Sequence, residues 1–244
     1  MFFFSFSIFY VVFSVFYINF DKIVVDLFTE EHGRVSFIAP ISSSAKAKIK
    51  KQYFQPFSIL EVEYDYRQKK GLQQFKYVSI AFPYSSIPFD QYKLAISLFL
   101  AEFTFYAIRD EQKNMPLFGY VMNSLQWLDS CSEGFSNFHL VYMIHLLTFI
   151  GFYPNLDDYE NGFCFDLRSG CYTSMPPFHR EYLSAGDTSL LATFCRMDYS
   201  NMHVFKMSHA DRNRLVDVVL SYYRLHVPKF PELKSYDVLK ELYK

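Results

Sequence analysis

Lys22-Ile23-Val24-Val25-Asp26-Leu27-Phe28-Thr29 runs into Glu30-Glu31-His32-Gly33 and returns through Val35-Ser36-Phe37-Ile38-Ala39. Two β-rich runs joined by a short polar turn predict a hairpin, with Gly33 supplying the positive φ that the turn needs. Working outward, Val11–Ile18 predicts a strand before this hairpin, and Phe57–Asp65 and Leu72–Ala81 predict two after it. In the fourth run Leu60, Val62 and Tyr64 alternate with Glu61, Glu63 and Asp65, the period of a strand wet on one face. Five short strands within roughly 80 residues suit a small closed barrel, because closure leaves no open sheet edge.

The pattern changes once, near residue 82. After Pro83 the apolar residues recur at helical spacing: Tyr92, Ala95, Ile96, Phe99, Phe103 and Tyr106 form the first set, with Pro88 where a first helical turn would begin. Met115–Asp129 and Asn137–Ile150 predict two more helices, the second stopped by Gly151. Ser208-His209-Ala210-Asp211 resembles a capping box ahead of Leu215, Val218, Val219 and Tyr222, and Ser235 is placed to cap a last helix through Leu242. Pro154, Gly162, Gly170, Pro176 and Pro177 break the pattern over residues 152–180, which read as an irregular insert. The expected architecture is α+β and multidomain: a five-stranded barrel over 1–82, then an α-helical domain over 83–244 carrying that insert.

Composition narrows the classes. Of 244 residues 51% are apolar, with 29 Phe and 20 Tyr against 8 Gly and 10 Pro, which excludes a disordered or linker-like chain. The four cysteines, at 131, 164, 171 and 195, are too scattered for a secreted disulfide framework and fit reduced thiols in a cytoplasmic protein. Met1–Phe20 carries no charge and eight Phe, the length and polarity of a membrane span. No Lys or Arg precedes it, Ser5, Ser7, Ser14 and Asn19 interrupt it, and Lys22–Thr29 needs a hairpin partner, so Val11–Ile18 is read as a strand. The rival is a membrane-anchored interaction protein using Met1–Phe20 as its span.

Catalytic signatures are few. There is no phosphate-binding loop, dinucleotide fingerprint, HExxH, GxSxG or CxxC. Asp157-Asp158-Tyr159-Glu160-Asn161-Gly162 fails as a calcium loop, because Tyr159 takes a ligand place and Arg168 stands where the bidentate Glu belongs. A hydrolase hidden in this acidic insert is the least favoured reading. Cys164, Cys171 and a loosely placed His179 are too few for a closed zinc site. His139 and His145, six apart, fall on different faces of a helix. Neither metal, cofactor nor catalytic residue is expected.

The positive signal is segregated charge. The chain is near neutral at −1, yet residues 44–76 hold eight Lys/Arg against three Asp/Glu, while residues 85–244 hold 14 against 18. Lys46, Lys48, Lys50 and Lys51, then Arg67, Lys69, Lys70 and Lys76, are interleaved with Tyr53, Phe54, Tyr64, Tyr66, Phe75 and Tyr77. Cations for phosphates and flat rings for bases are what single-stranded nucleic acid requires, although a solvated loop beside ordinary core aromatics gives the same pattern.

Asp26-Leu27-Phe28-Thr29-Glu30-Glu31-His32-Gly33-Arg34-Val35-Ser36-Phe37 resembles the early strand-turn-strand of the RecO family of bacterial recombination mediators, and so does Phe54-Gln55-Pro56-Phe57 leading into Ile59–Tyr64. Phe99-Leu100-Ala101-Glu102, Asn137-Phe138-His139-Leu140, Gly151-Phe152-Tyr153-Pro154, Phe165-Asp166-Leu167-Arg168-Ser169-Gly170, Tyr222-Tyr223-Arg224-Leu225-His226 and Leu233-Lys234-Ser235 are similar to its Bacteroidetes branch. The resemblance spans roughly residues 11–243, departing from the usual family start over the first ten. It implies an OB-fold barrel, then a helical domain; binding of single- and double-stranded DNA; and annealing of complementary strands. It further implies RecR and the C-terminal tail of single-strand-binding protein as partners, the loading of RecA, and a cytoplasmic, nucleoid-associated place. The DNA contacts expected are Arg34, Lys46, Lys48, Lys50, Lys51, Arg67, Lys69, Lys70 and Lys76, and the candidates for the tail carboxylate are Arg214 and Arg224. Some relatives carry a four-cysteine zinc site in the insert; here only Cys164 and Cys171 stand there, so zinc is not carried over.

Overall fold

A computed structural model of the chain describes residues 9–19, 22–40, 49–67, 71–109 and 112–242. The chain divides into two compact units, Met1–Ser130 and Cys131–Lys244, so the first unit extends beyond the strand-to-helix change and includes two helices.

The first unit is built on β1 (Phe9–Asn19), β2 (Lys22–Thr29), β3 (Gly33–Pro40), β4 (Ile59–Tyr64) and β5 (Gln73–Phe82). They close into a barrel in the order β1-β2-β3-β5-β4, with β3 and β5 parallel and the other pairs antiparallel. Closure runs through Phe9, Tyr10 and Val11 of β1 against Glu61, Leu60 and Ile59 of β4. This five-stranded closed barrel is the architecture of an OB-fold. Its interior is filled by Tyr10, Val12, Ile23, Val25, Leu27, Val35, Phe37, Leu60, Val62 and Val78, together with Phe54 from the segment before β4.

β1 settles the reading of the apolar start from residue 9 onward: it pairs with β2 from Tyr10 opposite Thr29 to Asn19 opposite Lys22. Among the described residues no helix is long and apolar enough to cross a membrane. Residues 1–8 lie outside the described residues.

β2 is apolar almost throughout because both its faces are covered. Ile23, Val25 and Leu27 face the barrel interior, while Phe28 on the other face meets Phe13 (5.4 Å) and Phe118 (5.8 Å). Phe118 belongs to α2 (Met115–Ser130), which follows α1 (Gln91–Ala107). α1 begins after Pro88 rather than at it. Ile87–Phe89 is a turn, and the Asp90 carboxylate accepts the N–H groups of Tyr92 (2.8 Å) and Lys93 (3.1 Å), so the cap, not the proline, sets the start.

Asp129, buried near the end of α2, accepts the backbone N–H groups of Ser85 (2.8 Å), Ser86 (2.8 Å) and Ile87 (2.9 Å) and the Ser85 hydroxyl (2.9 Å). Burial alone would raise its pKa, but those donors outweigh it and hold the carboxyl below its ordinary value. Lys93 is buried beside it and donates to Ser86 Oγ (2.7 Å). This cluster ties the end of α2 to the turn before α1.

The second unit contains α3 (Phe138–Ile150), β6 (Cys164–Asp166), β7 (Cys171–Thr173), β8 (Tyr182–Leu183), α4 (Ala185–Phe194), α5 (His209–His226) and α6 (Lys234–Leu242). α3 stops at Gly151, which takes φ 79°. Ser208 caps α5 as its sequence predicts, accepting Asp211 N–H (3.1 Å) and donating to the Asp211 carboxylate (2.6 Å). Three readings are corrected here. The insert is not wholly irregular, since β6 pairs with both β7 and β8 in a small sheet. α4 is a helix the periodicity did not signal, its first turn holding Gly186 and Asp187. α6 starts at Lys234, one residue before the expected cap at Ser235.

His139 and His145 have separate surroundings. His145 Nε2 lies 2.8 Å from Met197 O. His139 is fully buried, and burial, then the nearby Arg212 charge, push its pKa down to about 3, so the ring is neutral. Arg212 is itself buried, donating through Nε to Asn137 Oδ1 (3.1 Å), while Asn137 Nδ2 donates to Met202 O (3.0 Å) and Phe205 O (2.8 Å).

Candidate nucleic-acid interface

The charged segments attach to one side of the barrel. Lys50 and Lys51 are exposed in the short turn of helix Lys51–Tyr53, whose neighbour Phe54 is driven into the core. Ile49, just before them, lines a cleft with Lys22, Ile38, Pro40, Gln74 and Phe75. Gln74 and Phe75 also line a second cleft, with Asp65, Arg67, Leu72, Gln73 and Lys76. The two clefts therefore share a stretch of β5. Lys46, Lys48, Lys69 and Lys70 lie outside the described residues. Pro40 and Ile49, which bracket 41–48, line the first cleft, and Arg67, which precedes 68–70, lines the second.

Each described cation has a local cause for its position. Arg67 is fixed through its backbone: its N–H donates to Gln73 Oε1 (2.9 Å) and its carbonyl accepts from Gln73 Nε2 (3.1 Å). Gln73 is buried, so this two-point clamp holds the base of the β4–β5 hairpin while the Arg67 side chain stays in solvent. Lys76 is the extra residue of a β-bulge: Glu63 pairs with Tyr77 and Tyr64 with Phe75, leaving Lys76 unpaired between them. The bulge lets Phe75 and Val78 both pack on the core while Lys76 turns outward to Asp65, 2.5 Å away. That pair is exposed on both sides and contributes at most about 1 kcal/mol. Among the described residues Lys22, Lys50, Lys51 and Arg67 are in no ion pair.

Arg34 is placed differently. Its side chain is 17% exposed, lies 3.3 Å from the buried Asp26 carboxylate and stacks 3.9 Å over the Phe105 ring. Asp26 also accepts from Ser14 Oγ (2.9 Å) and from Ser36 Oγ. The guanidinium is thus engaged inside the first unit, between the barrel and α1.

The interleaved aromatics separate into two sets. Phe54 is buried, and Phe75 and Tyr64 pack against the same core, Phe37 stacking on Phe75 at 4.4 Å. Burial pushes the Tyr64 phenol up to about 12, so it stays neutral. Tyr17, Tyr66 and Tyr77 instead stand in solvent. The Lys51 ammonium sits 4.7 Å from the centre of the Tyr17 ring, and His32 of the β2–β3 turn stacks on Tyr66 at 4.0 Å. Sequence reasoning missed Lys22 and Tyr17. Both stand at the β1–β2 hairpin, outside the basic run, and only the fold brings them to Ile49–Lys51.

In the second unit, Arg214 pairs with Asp187 (2.6 Å). Arg224 is exposed and lines a cleft between α5 and α6 with Asp217, Glu232, Leu233, Lys234, Tyr236, Asp237 and Lys240. In the insert Cys164 is buried on β6 and Cys171 lies on β7; His179 is 3.3 Å from Asp166 and 3.4 Å from Glu181. Among the described residues no group of three or more His, Cys, Asp or Glu is arranged to hold a metal ion.

Comparison with known proteins gives matches over nearly the whole chain. Residues 11–84 match the family model described as Recombination protein O N terminal, and residues 88–237 match Recombination protein O C terminal. A protein of Phocaeicola vulgatus named DNA repair protein RecO is 44% identical over 220 residues, covering 90% of this chain and 91% of that protein. Proteins of the same name from Bacteroides fragilis (45% over 221 residues, 90% and 91%) and Flavobacterium johnsoniae (35% over 225 residues, 91% and 92%) are also similar.

Proposed function

The chain belongs to the RecO family of DNA repair and recombination proteins, and on that premise we propose that it binds single- and double-stranded DNA on the basic side of its barrel and anneals complementary strands. The observation that carries this reading is that Lys22, Arg67 and Lys76 line two clefts that share Gln74 and Phe75, with the exposed Lys50 and Lys51 directly following Ile49 of the first. Two stretches that bring Lys46, Lys48, Lys69 and Lys70 are bracketed by residues of the same clefts. Annealing requires no covalent step: a surface that neutralises phosphates lowers the repulsion between two backbones while bases find their partners. The role is that of a mediator rather than an enzyme.

Partners follow from the same reading. With RecR the protein helps load RecA onto DNA coated by single-strand-binding protein, in the cytoplasm and in association with the nucleoid. The acidic, Phe-ending tail of single-strand-binding protein docks on the second unit. Of the two candidate cations Arg224 is the better one, since Arg214 already holds Asp187, and Leu233 and Tyr236 give the Arg224 cleft apolar wall.

In a stopped-flow assay with complementary labelled oligonucleotides, the full chain should accelerate pairing at low salt, and no acceleration at any protein concentration would overturn the annealing role. Titration of a labelled tail peptide should show saturable binding. Arg224→Ala should weaken it by about tenfold or more, and Arg214→Ala by little.

A further inference from the structure

The interleaving of rings and cations in the sequence does not say which rings can meet a base, and the fold answers that. Of the aromatics beside the basic strip, Phe54 and Phe75 fill the barrel, while Tyr17 is 57% and Tyr66 48% exposed. Each of the two is held in place by a neighbour: Tyr17 by the Lys51 ammonium, Tyr66 by the stacked His32 ring and the edge of Tyr64 (6.3 Å). A ring already ordered loses little freedom when a base stacks on it.

Their spacing fits one extended strand. Tyr17 lies opposite Ile23, which lies opposite Ala39, so it stands near the far end of β3. Tyr66 stands by His32, just before β3 begins. Seven residues of strand separate these levels, about 24 Å. Tyr17 sits on Lys51, two residues after Ile49 of the first cleft, and Tyr66 directly precedes Arg67 of the second; Lys22, Arg67 and Lys76 line the two clefts, and Asp65 is the carboxylate in the second.

We propose that Tyr17 and Tyr66 are base-stacking posts at the two ends of this strip, and that they give it preference for single strands over duplex. The inference rests on the DNA-binding reading above and deepens it. Phosphate contacts serve both forms of DNA, whereas a ring can stack only on a base whose face is not already covered by its neighbours.

The test measures binding of the full chain to a twenty-residue thymidine oligonucleotide and to a duplex of the same length, each across a salt series. Tyr17→Ala and Tyr66→Ala should each weaken single-strand binding by about 5- to 150-fold, leaving duplex affinity within about twofold and the salt slope unchanged. Tyr17→Phe and Tyr66→Phe should retain wild-type selectivity, because the ring remains. Thermal melts monitored by circular dichroism establish that each Ala variant is folded; for one that is not, the Leu variant keeps the apolar bulk without the ring and takes its place. If Lys50→Ala/Lys51→Ala weakens both DNA forms while the Tyr variants bind as wild type, the stacking inference falls and the DNA-binding reading stands. Equal losses on single strand and duplex would also overturn it. A wild-type chain that binds neither form overturns both.

Discussion

The two compact units carry small net charges and place their carboxylates differently. Residues 1–130 hold thirteen Lys/Arg against twelve Asp/Glu, and residues 131–244 hold eleven against thirteen. In the second unit charges are paired locally: Arg168 with Glu181, Arg214 with Asp187, Lys240 with Asp217. In the first unit two carboxylates, Asp26 and Asp129, are taken inside to satisfy backbone and hydroxyl donors. Asp26 also holds Arg34, and among the described residues Lys22, Lys50, Lys51 and Arg67 stand in solvent with no carboxylate paired to them. What a polyanion meets is the uncompensated charge, and that is set by where the carboxylates go rather than by the balance of the sequence.

The largest effect expected from that difference is on stability. Asp129→Ala removes a buried acceptor for three backbone N–H groups, that of Ile87 buried, and for a hydroxyl, and should destabilise the first unit by about 3–5 kcal/mol. Trp127, the single tryptophan and a neighbour of Asp129 in α2, makes urea unfolding by fluorescence the direct measurement. A loss under about 1 kcal/mol would mean the carboxylate is not the tie between α2 and the Ser85–Ile87 turn.

Acid should separate the units next. His139 in the second unit has a folded pKa of about 3, below the ordinary 6.5, so its neutral form is favoured by folding. The stability it contributes is complete above pH 6.5 and is lost as pH falls toward 3, roughly 2–3 kcal/mol of it between pH 6.5 and 4.5. Asp129 in the first unit is also held below its ordinary value of 3.8, so its contribution is present above that value and lost only at lower pH. Urea unfolding at pH 6.5 and 4.5 should therefore show the part of the helical signal that comes from the second unit weakening, by circular dichroism, before Trp127 fluorescence does, and His139→Leu should flatten the first trend.

A smaller change sharpens the electrostatic side. Asp65 is the carboxylate that intrudes on the cationic strip, on Lys76. Asp65→Asn should tighten DNA binding by about two- to fivefold with little change in stability, read by fluorescence anisotropy at fixed salt.

The barrel was legible because its signals are local. Lys22–Thr29, Glu30–Gly33 and Val35–Ala39 state strand, turn and strand in their own residues, and Leu60, Val62 and Tyr64 state which face is wet. The interface was legible only as composition. Arg34 counts as a cation in any tally, yet its partner Asp26 is found only once β2 and β3 pair and α1 brings Phe105 over it. Lys76 points outward because of a bulge that shifts the β4–β5 register, and a period-two reading cannot register one extra residue. Asp129 and the turn it caps are more than forty residues apart, with no motif joining them. α4 carries Gly186 in its first turn, which weakens the helical signal locally and is overridden by packing of Leu191 and Phe194.

Whether DNA lies on the basic side of the barrel is read from the salt dependence of binding. For the full chain on single-stranded DNA, about five phosphate contacts predict that log K falls with log salt at a slope of roughly −3.5. Replacing Lys46, Lys48, Lys50 and Lys51 together by Ala should weaken binding and flatten the slope by about 0.7 for each lysine that meets a phosphate, while the Trp127 unfolding transition stays where it is. Unchanged affinity and unchanged slope in the folded quadruple variant would move the DNA off this side of the barrel.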